Sequence, residues 1–503
     1  MAEHKEAEYK LYFGDIHNHN AMGYGKGTLE RSIEIARSHL DFFAFTGHSS
    51  WHDCEPMEGG RESHWYRGFE RHNSNWDKIR RLMAEANEEG KFVAILGFEW
   101  HSSHYGDHCV LFPEDYEPLV MPDNLEELRK FCLEHDALMI PHHLANPQGR
   151  RGVNWEVFEE SCSPIVEIFS EHGNSEEDRG LYPYFNHSFG GRVTTNTVRY
   201  ALNRGLRFGF YASTDSHRGF PGAHGEGVMA VWAGGLDRKS LFEAFRARRT
   251  YGLTGDRIEV DFRVNGEPMG SEIKVGKEVE VFYDVSGRDE IDAVELIRDG
   301  RIVHRKFPEA DGMGEDLEWD KPIQFRLEWG WGPWADLALD RICDWEFEVE
   351  LRGGKIHRYF VNWQSGPFDE NRRHTAACTG ENRISVRSFT SRQGAYRQNP
   401  NQSLVLEITG EGDAELALRM VKPVEQEYKT TLEALRLSGR FIPTGPFPKE
   451  SMLLHRAVSH KTSSLRNSVT IPVEKSDPGY LYLRVRQKNG HYAWASPVFY
   501  NAE

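Results

Sequence analysis

The segment Gly14-Asp15-Ile16-His17-Asn18-His19 closes a short apolar run over residues 11–16. On an extended chain, side chains two apart leave the same face, so His17 and His19 can share one ion. Alone, a His-x-His pair is weak evidence. Working outward, the arrangement recurs. Thr46-Gly47-His48 ends the run 42–46, and Gly97-Phe98-Glu99 ends 92–98. Pro141-His142-His143 ends 138–140, and Thr214-Asp215-Ser216-His217 follows 208–212. Two further runs complete seven candidate strands: 109–112, opened by His108, and 165–169, followed by Glu171-His172. Core histidines would have to arise independently at each strand end, whereas one shared site accounts for them together.

Between these runs, residues 29–38, 76–88, 125–134 and 236–247 carry apolar residues at helical spacing, with Asp123 and Asn124 placed to cap the third. Alternating strand and helix over about 250 residues predicts a parallel-sheet α/β unit, a barrel or a doubly wound sheet. After Thr254 the texture becomes strand alternation broken by turn signals. Asn265-Gly266 follows 258–264, Asp299-Gly300 follows 293–298, Gly353-Gly354 follows 345–351, and Asn489-Gly490 separates 480–486 from 492–499. Two regions are expected: 1–254, α/β, and 255–503, all-β and sandwich-like, with no assignment for 370–475.

A chain of 503 residues is too long for one core, in keeping with that division. The net charge of −17, with no long basic block, argues against a protein built to neutralise nucleic-acid phosphates. Residues 1–10 are charged and lack an apolar signal core, and no run of about 18 apolar residues occurs, so neither a standard secretion signal nor a membrane span is expected. Six scattered cysteines without Cys-x-x-Cys fit free thiols in a reducing cytoplasm. Histidine is the unusual residue: 18 of the 24 lie within the first 224 positions.

As a set, His17, His19, His48, Glu99, His108, Pro141-His142-His143 and Asp215-Ser216-His217 make the chain resemble the polymerase and histidinol phosphatase (PHP) superfamily, in a branch with a β-rich C-terminal extension. The resemblance covers roughly residues 10–250 and, more loosely, 482–497. It implies a distorted (β/α)7 barrel with two or three divalent ions held at the strand ends. After His19, where that family often carries Asp or His, this chain reads Ala21-Met22-Gly23-Tyr24-Gly25. Nitrogen and oxygen ligands without thiolate suit Mn, Zn or Fe. The metal ligands expected are His17, His19, His48, Glu99, His108, Asp215, His217 and one of His142 and His143, since neighbours on an extended chain face opposite ways.

Paired ions lower the pKa of a bridging water and polarise a phosphoryl or carbonyl oxygen, which makes hydrolysis the natural chemistry. The first expectation is a phosphoesterase with a metal-bridging hydroxide as nucleophile and an anionic small-molecule substrate. A non-phosphate ester, amide or lactone hydrolase is the alternative, and a non-catalytic, metal-stabilised binding protein is the third. His172 is the candidate proton donor. Arg150, Arg151 and Arg218 are candidate anion contacts, and Asp15 is read as orienting an imidazole. His52, His64, His101 and His104 read as exposed loop histidines. Trp329, Trp331, Trp334 and Trp345 suit either a sandwich core or a stacking platform. A homo-oligomer is compatible with the sequence.

Overall fold

Residues 9–184, 191–308, 318–331, 342–366, 368–391, 401–473 and 478–502 are described in a computed structural model of the chain. The histidine-rich region runs β1 (Lys10–Asp15), α1 (Leu29–His39), β2 (Phe42–Trp51), α2 (Ser63–Ser74), α3 (Trp76–Ala86), β3 (Val93–His101), β4 (His108–Leu111), α4 (Leu125–Glu134) and β5 (Leu138–Pro141). It continues through β6 (Ile165–Ser170), β7 (Gly173–Asn174), α5 (Val198–Asn203), β8 (Gly209–Ala212), β9 (Val228–Ala233), α6 (Arg238–Arg246) and β10 (Thr250–Leu253). Side-chain caps fix several helix starts. Thr28 accepts from the Arg31 amide, Asn124 from Glu127 and Asp237 from Ser240.

All seven expected strands are present. Their arrangement departs from a closed (β/α)7 barrel, which hydrogen bonding among the described residues does not form. Strands β9-β1-β2-β3-β4-β5 lie in one sheet, while β7-β6-β8 form a separate one. Among these strands, as far as the described residues show, β1–β2, β2–β3 and β6–β8 pair in parallel; β4 is antiparallel to both neighbours, and β9 is antiparallel to β1. The reason at β4 is chain length. Six residues separate it from β3, too few for the crossover that a parallel pair requires.

The two sheets nevertheless face each other across one apolar layer. Ile16, Ala44, Ile95, Leu111, Ile140, Ile165, Tyr211 and Met229 pack together as its buried core. On the outer side of the long sheet, Phe43, Phe45, Leu96, Phe98 and Trp100 meet the helices through Leu29, Ile79, Met83 and Leu128. Period-2 alternation therefore assigns each strand residue to the interior or to the helix side, and it is this parity that sorts the site residues.

Hydrogen bonding does not stop at residue 254. Strand β10 pairs with Tyr492–Ala495, which pairs with Gly479–Gln487, so the last hairpin extends the N-terminal sheet. A four-stranded sheet of Glu259–Val264, Glu267–Pro268, Glu278–Ser286 and Ser464–Pro472 packs beside it, so the C-terminal region is β-rich as expected. Into this unit is inserted an eight-stranded sheet running from Ile323–Trp331 to Ser451–Leu454, which accounts for most of the unassigned stretch.

Asn265-Gly266 and Asp299-Gly300 turn with positive φ at both residues, as hairpins of that kind require. Gly353-Gly354 does not turn. Ile342–Asn362 is one strand that passes through it with a register shift after Arg352. Trp329 and Trp345 are buried in the core of the inserted sheet, so they serve packing; Trp334 and the side chain of Trp331 lie outside the described residues.

Candidate metal centre

Two buried carboxylates organise the interior at the ends of β1, β2, β3, β5, β6 and β8. Glu99 is on the inward face of β3. His142 Nε2 lies 2.8 Å from its Oε1, and His19 Nε2 and His48 Nε2 each lie 3.3 Å from its Oε2. Asp215 sits in a left-handed turn, φ +52°, that aims its carboxylate back into the cluster. Around it stand His19 Nε2 at 3.0 Å, His17 Nε2 at 3.3 Å, His143 Nε2 at 3.3 Å and His172 Nε2 at 3.1 Å. His17 and His19 do point the same way, with Nε2 atoms 3.3 Å apart. His217 joins at the mouth, its ring tilted by 36° against that of His19 at 4.4 Å between centroids, and is the most exposed of the set at 32%.

The expectation that only one of His142 and His143 can face the site is corrected. Strand β5 ends at Pro141, and His143 adopts φ +52°, which reverses the chain and turns both imidazoles inward. His108 is not brought to the cluster. It pairs across the ladder with Trp100 while Cys109 pairs with Glu99, so His108 leaves the helix-side face, its Nδ1 3.0 Å from the Gly106 carbonyl. Burial lowers its pKa to about 4 and keeps the ring neutral.

Four participants were not anticipated as such. Strand β3 extends to His101, two residues beyond Glu99 and on the same face, with Nε2 3.4 Å from Glu99 Oε1; the ring is fully buried rather than an exposed loop histidine. Of the other three, His104 is an exposed loop residue as expected, whereas His64, also exposed, lies in α2, and His52 is partly buried with its ring stacked on Trp100. Asp107 faces His101 Nδ1 at 3.4 Å and pairs with the Arg151 guanidinium. Cys109 Sγ lies 3.7 Å from His142 Nδ1. Glu167 Oε2 is 2.7 Å from His17 Nδ1. A single carboxylate inside the apolar run Ile-Val-Glu-Ile-Phe was the available signal for Glu167.

The arginines separate. Arg151 is buried, bound to Asp107 and His101 and lying over the Trp51 ring; Arg150 is exposed. Arg218 Nη1 is held by Ser365 Oγ at 2.9 Å, Glu226 at 3.2 Å and Glu171 at 3.6 Å. Asp15 orients backbone rather than an imidazole. It accepts from the His17, Thr214 and Gly222 amides and the Thr214 hydroxyl, and burial raises its pKa to about 6.

Electrostatically the cluster suits cations. Burial would raise the Glu99 carboxyl, but His101, His48 and His142 hold it well below the carboxylate range; His17, His172 and His143 do the same for Asp215. Among the described residues, Glu99 Oε2 and Asp215 Oδ2 nevertheless accept no well-aligned hydrogen bond, nor do His19 Nδ1, His48 Nδ1 and His101 Nε2 find one. Buried polar atoms are rarely left so. With His17 Nδ1 donating to Glu167, its Nε2 lone pair faces the cluster, the arrangement by which an outer carboxylate orients a ligating imidazole. Several triads, among them His17–His19–Glu99, His19–His48–His217 and His48–Glu99–His101, have ligand atoms within 4.8 Å of one another. These residues fit divalent metal ions.

Comparison with known proteins adds the following. A family model described as "Protein of unknown function (DUF3604)" matches residues 222–280. An uncharacterized protein of Chlamydia pneumoniae is 28% identical over 270 residues, covering 49% of this chain and 43% of its own length. One of Chlamydia trachomatis is 31% identical over 267 residues, covering 48% and 42%. The chain thus spans about four-tenths of the length of these curated relatives. Among solved structures, a two-domain protein from Bacteroides vulgatus, described as containing a predicted PHP-like metal-dependent phosphoesterase, aligns over 86% of this chain and 100% of its own at 12% identity, TM-score 0.35. PsfC from Pseudomonas syringae aligns over 47% and 90% at 13% identity, TM-score 0.30. No helix among the described residues is long and apolar enough to cross a membrane.

Proposed function

We propose that the chain is a metal-dependent hydrolase of phosphate esters, with the chemistry in residues 1–254. The observation that carries this reading is the convergence of six histidines on two buried, ionised carboxylates whose outer oxygens lack aligned donors. Asp215, His17, His19 and His143 would hold ions on one side, and Glu99, His48, His101 and His142 on the other, with His217 at the mouth. Bound divalent ions, Mn, Zn or Fe, would supply Lewis acidity toward the ester and a water acidic enough to attack it. The chain's own residues do the remaining work. Glu167 fixes the His17 tautomer, and the apolar layer beneath the cluster excludes bulk water. His172, buried beside Asp215, holds a proton on Nε2 for the leaving oxygen. Arg218 contacts the anionic substrate at the rim.

Hydrolysis of a non-phosphate ester, amide or lactone is a second reading, favoured by one observation: Arg151 and Arg218 both pair with carboxylates. The test is turnover of aryl phosphate mono- and diesters against carboxylic esters, amides and lactones, with Mn, Zn or Fe supplied. Metal-dependent phosphate release is the expected result. Turnover confined to the other substrates would replace this reading with the second.

A further inference from the structure

The inserted eight-stranded sheet sends the loop after Ile342–Asn362 against the mouth of the site. The Trp363 carbonyl accepts from the His224 amide, and the Arg372 carbonyl accepts from the Arg31 guanidinium on α1. Gly27, at φ +77°, lies so close to Phe368 that an added Cβ would stand 2.9 Å from the ring. Arg373 bonds Glu34 at 2.6 Å. This seating is continuous with the two loops, 19–28 and 217–226, that carry the outer site residues.

At its centre, Ser365 is fully buried and meets two groups of the N-terminal region. Its hydroxyl donates to Glu226 Oε1 and accepts from Arg218 Nη1 at 2.9 Å. Glu226 Oε1 accepts from the same Nη1 at 3.2 Å, and Glu171 stands on its other side at 3.6 Å. A guanidinium carries five donors in one rigid plane. Fixing Nη1 therefore fixes the plane, while among the described residues Nη2 and Nε make no hydrogen bond. Arg218 is 29% exposed and follows His217 directly, and Glu171, 3.6 Å from its Nη1, precedes His172, so the guanidinium lies at the rim of the metal cluster.

We infer that Ser365, with Glu226, is a positioning residue for Arg218, so that the inserted β-sheet supplies part of the anion-binding wall. This rests on the reading of the site as a phosphoesterase. Glu226 alone would hold Nη1 at one point and leave the plane to rotate; the second contact, from a different structural unit, removes that freedom. A neutral hydrogen bond of this kind contributes a modest factor, about 3- to 10-fold in affinity.

The experiment uses the full chain loaded with metal and measures inorganic phosphate binding by calorimetry, beside steady-state hydrolysis of an aryl phosphate. Ser365→Ala is expected to weaken phosphate and raise KM about 3- to 10-fold with kcat and metal content unchanged. Ser365→Thr, which keeps the hydroxyl, restores both. In an Arg218→Ala background Ser365→Ala adds nothing, because the two act through one contact. Wild-type protein that binds phosphate but hydrolyses only other esters would end the phosphoesterase reading, while the Ser365 effect on phosphate binding would still support the inference. An unchanged phosphate affinity in Ser365→Ala, an equal loss with Arg218 already removed, or no phosphate binding by the wild type would overturn it.

Discussion

Two buried polar clusters in this molecule are built from the same residue types and finish differently. At the junction of the N-terminal sheet, the last hairpin and the inserted sheet, Asp256 is fully buried. Its Oδ1 accepts from His224 at 2.9 Å, and its Oδ2 accepts from Arg326 at 2.7 Å, Gln487 at 2.8 Å and Asn489 at 2.7 Å. Both oxygens are satisfied by protein donors, one of them cationic. In the histidine cluster, Glu99 and Asp215 are as deeply buried and as firmly ionised, yet each keeps an oxygen without an aligned donor among the described residues. A carboxylate closed by the protein is a tie between structural units; a carboxylate left open among imidazole lone pairs is complementary to a cation.

The comparison breaks most readily at the open cluster. Replacing His17 and His19 together with Ala removes ligands on both sides of it, and metal content and turnover are expected to fall to those of chelator-stripped protein while the fold persists by circular dichroism. Full metal retention would mean that the open oxygens are not ligands. At the closed cluster the response inverts. Asp256→Ala leaves the Arg326 guanidinium without its carboxylate, so stability should fall by about 3–5 kcal/mol in denaturant titration, with metal content per folded chain unchanged. A loss of metal affinity there would show that the two clusters are coupled.

Glu167→Gln sharpens the contrast further. It keeps a partner for His17 but not a charged one, and metal affinity should weaken about 10- to 100-fold, the usual effect of losing an outer carboxylate. The smallest effect is on pH dependence. His374, buried between Trp363 and Phe389, is held neutral by burial, its pKa lowered to about 3. An imidazole with a depressed folded pKa takes up its proton only on unfolding, so stability is full above pH 6.5 and is lost as pH falls toward 3. By pH 5 about 2 kcal/mol of that stability has been lost. His374→Phe should flatten the denaturation midpoint between pH 7 and 5; an unchanged slope would reject the assignment.

Much of the site was legible because strand ends are legible. Apolar runs bounded by Gly, Pro and polar residues located the seven strands, and parity along β1 brought His17 and His19 together. What the sequence withheld was strand direction and the points where extended geometry stops. Antiparallel β4 turned His108 outward and Cys109 inward. A strand that ends three residues beyond its apolar run brought in His101, and positive φ at His143 and Asp215 defeated alternation altogether. The inserted sheet resisted assignment because its strands interrupt another unit, so their partners lie far along the chain. Gly353-Gly354 reads as a turn locally but lies within a strand whose partner, Gln402–Lys422, is itself 21 residues long and continuous across the same point.

The most direct test is elemental analysis of the purified chain, repeated after Glu99→Gln and Asp215→Asn substitutions made separately. Two or more divalent ions per wild-type chain, with each substitution lowering that number, is the predicted result. A wild-type chain that binds no divalent ion when Mn, Zn or Fe is supplied would contradict the reading of the open carboxylates as a metal centre.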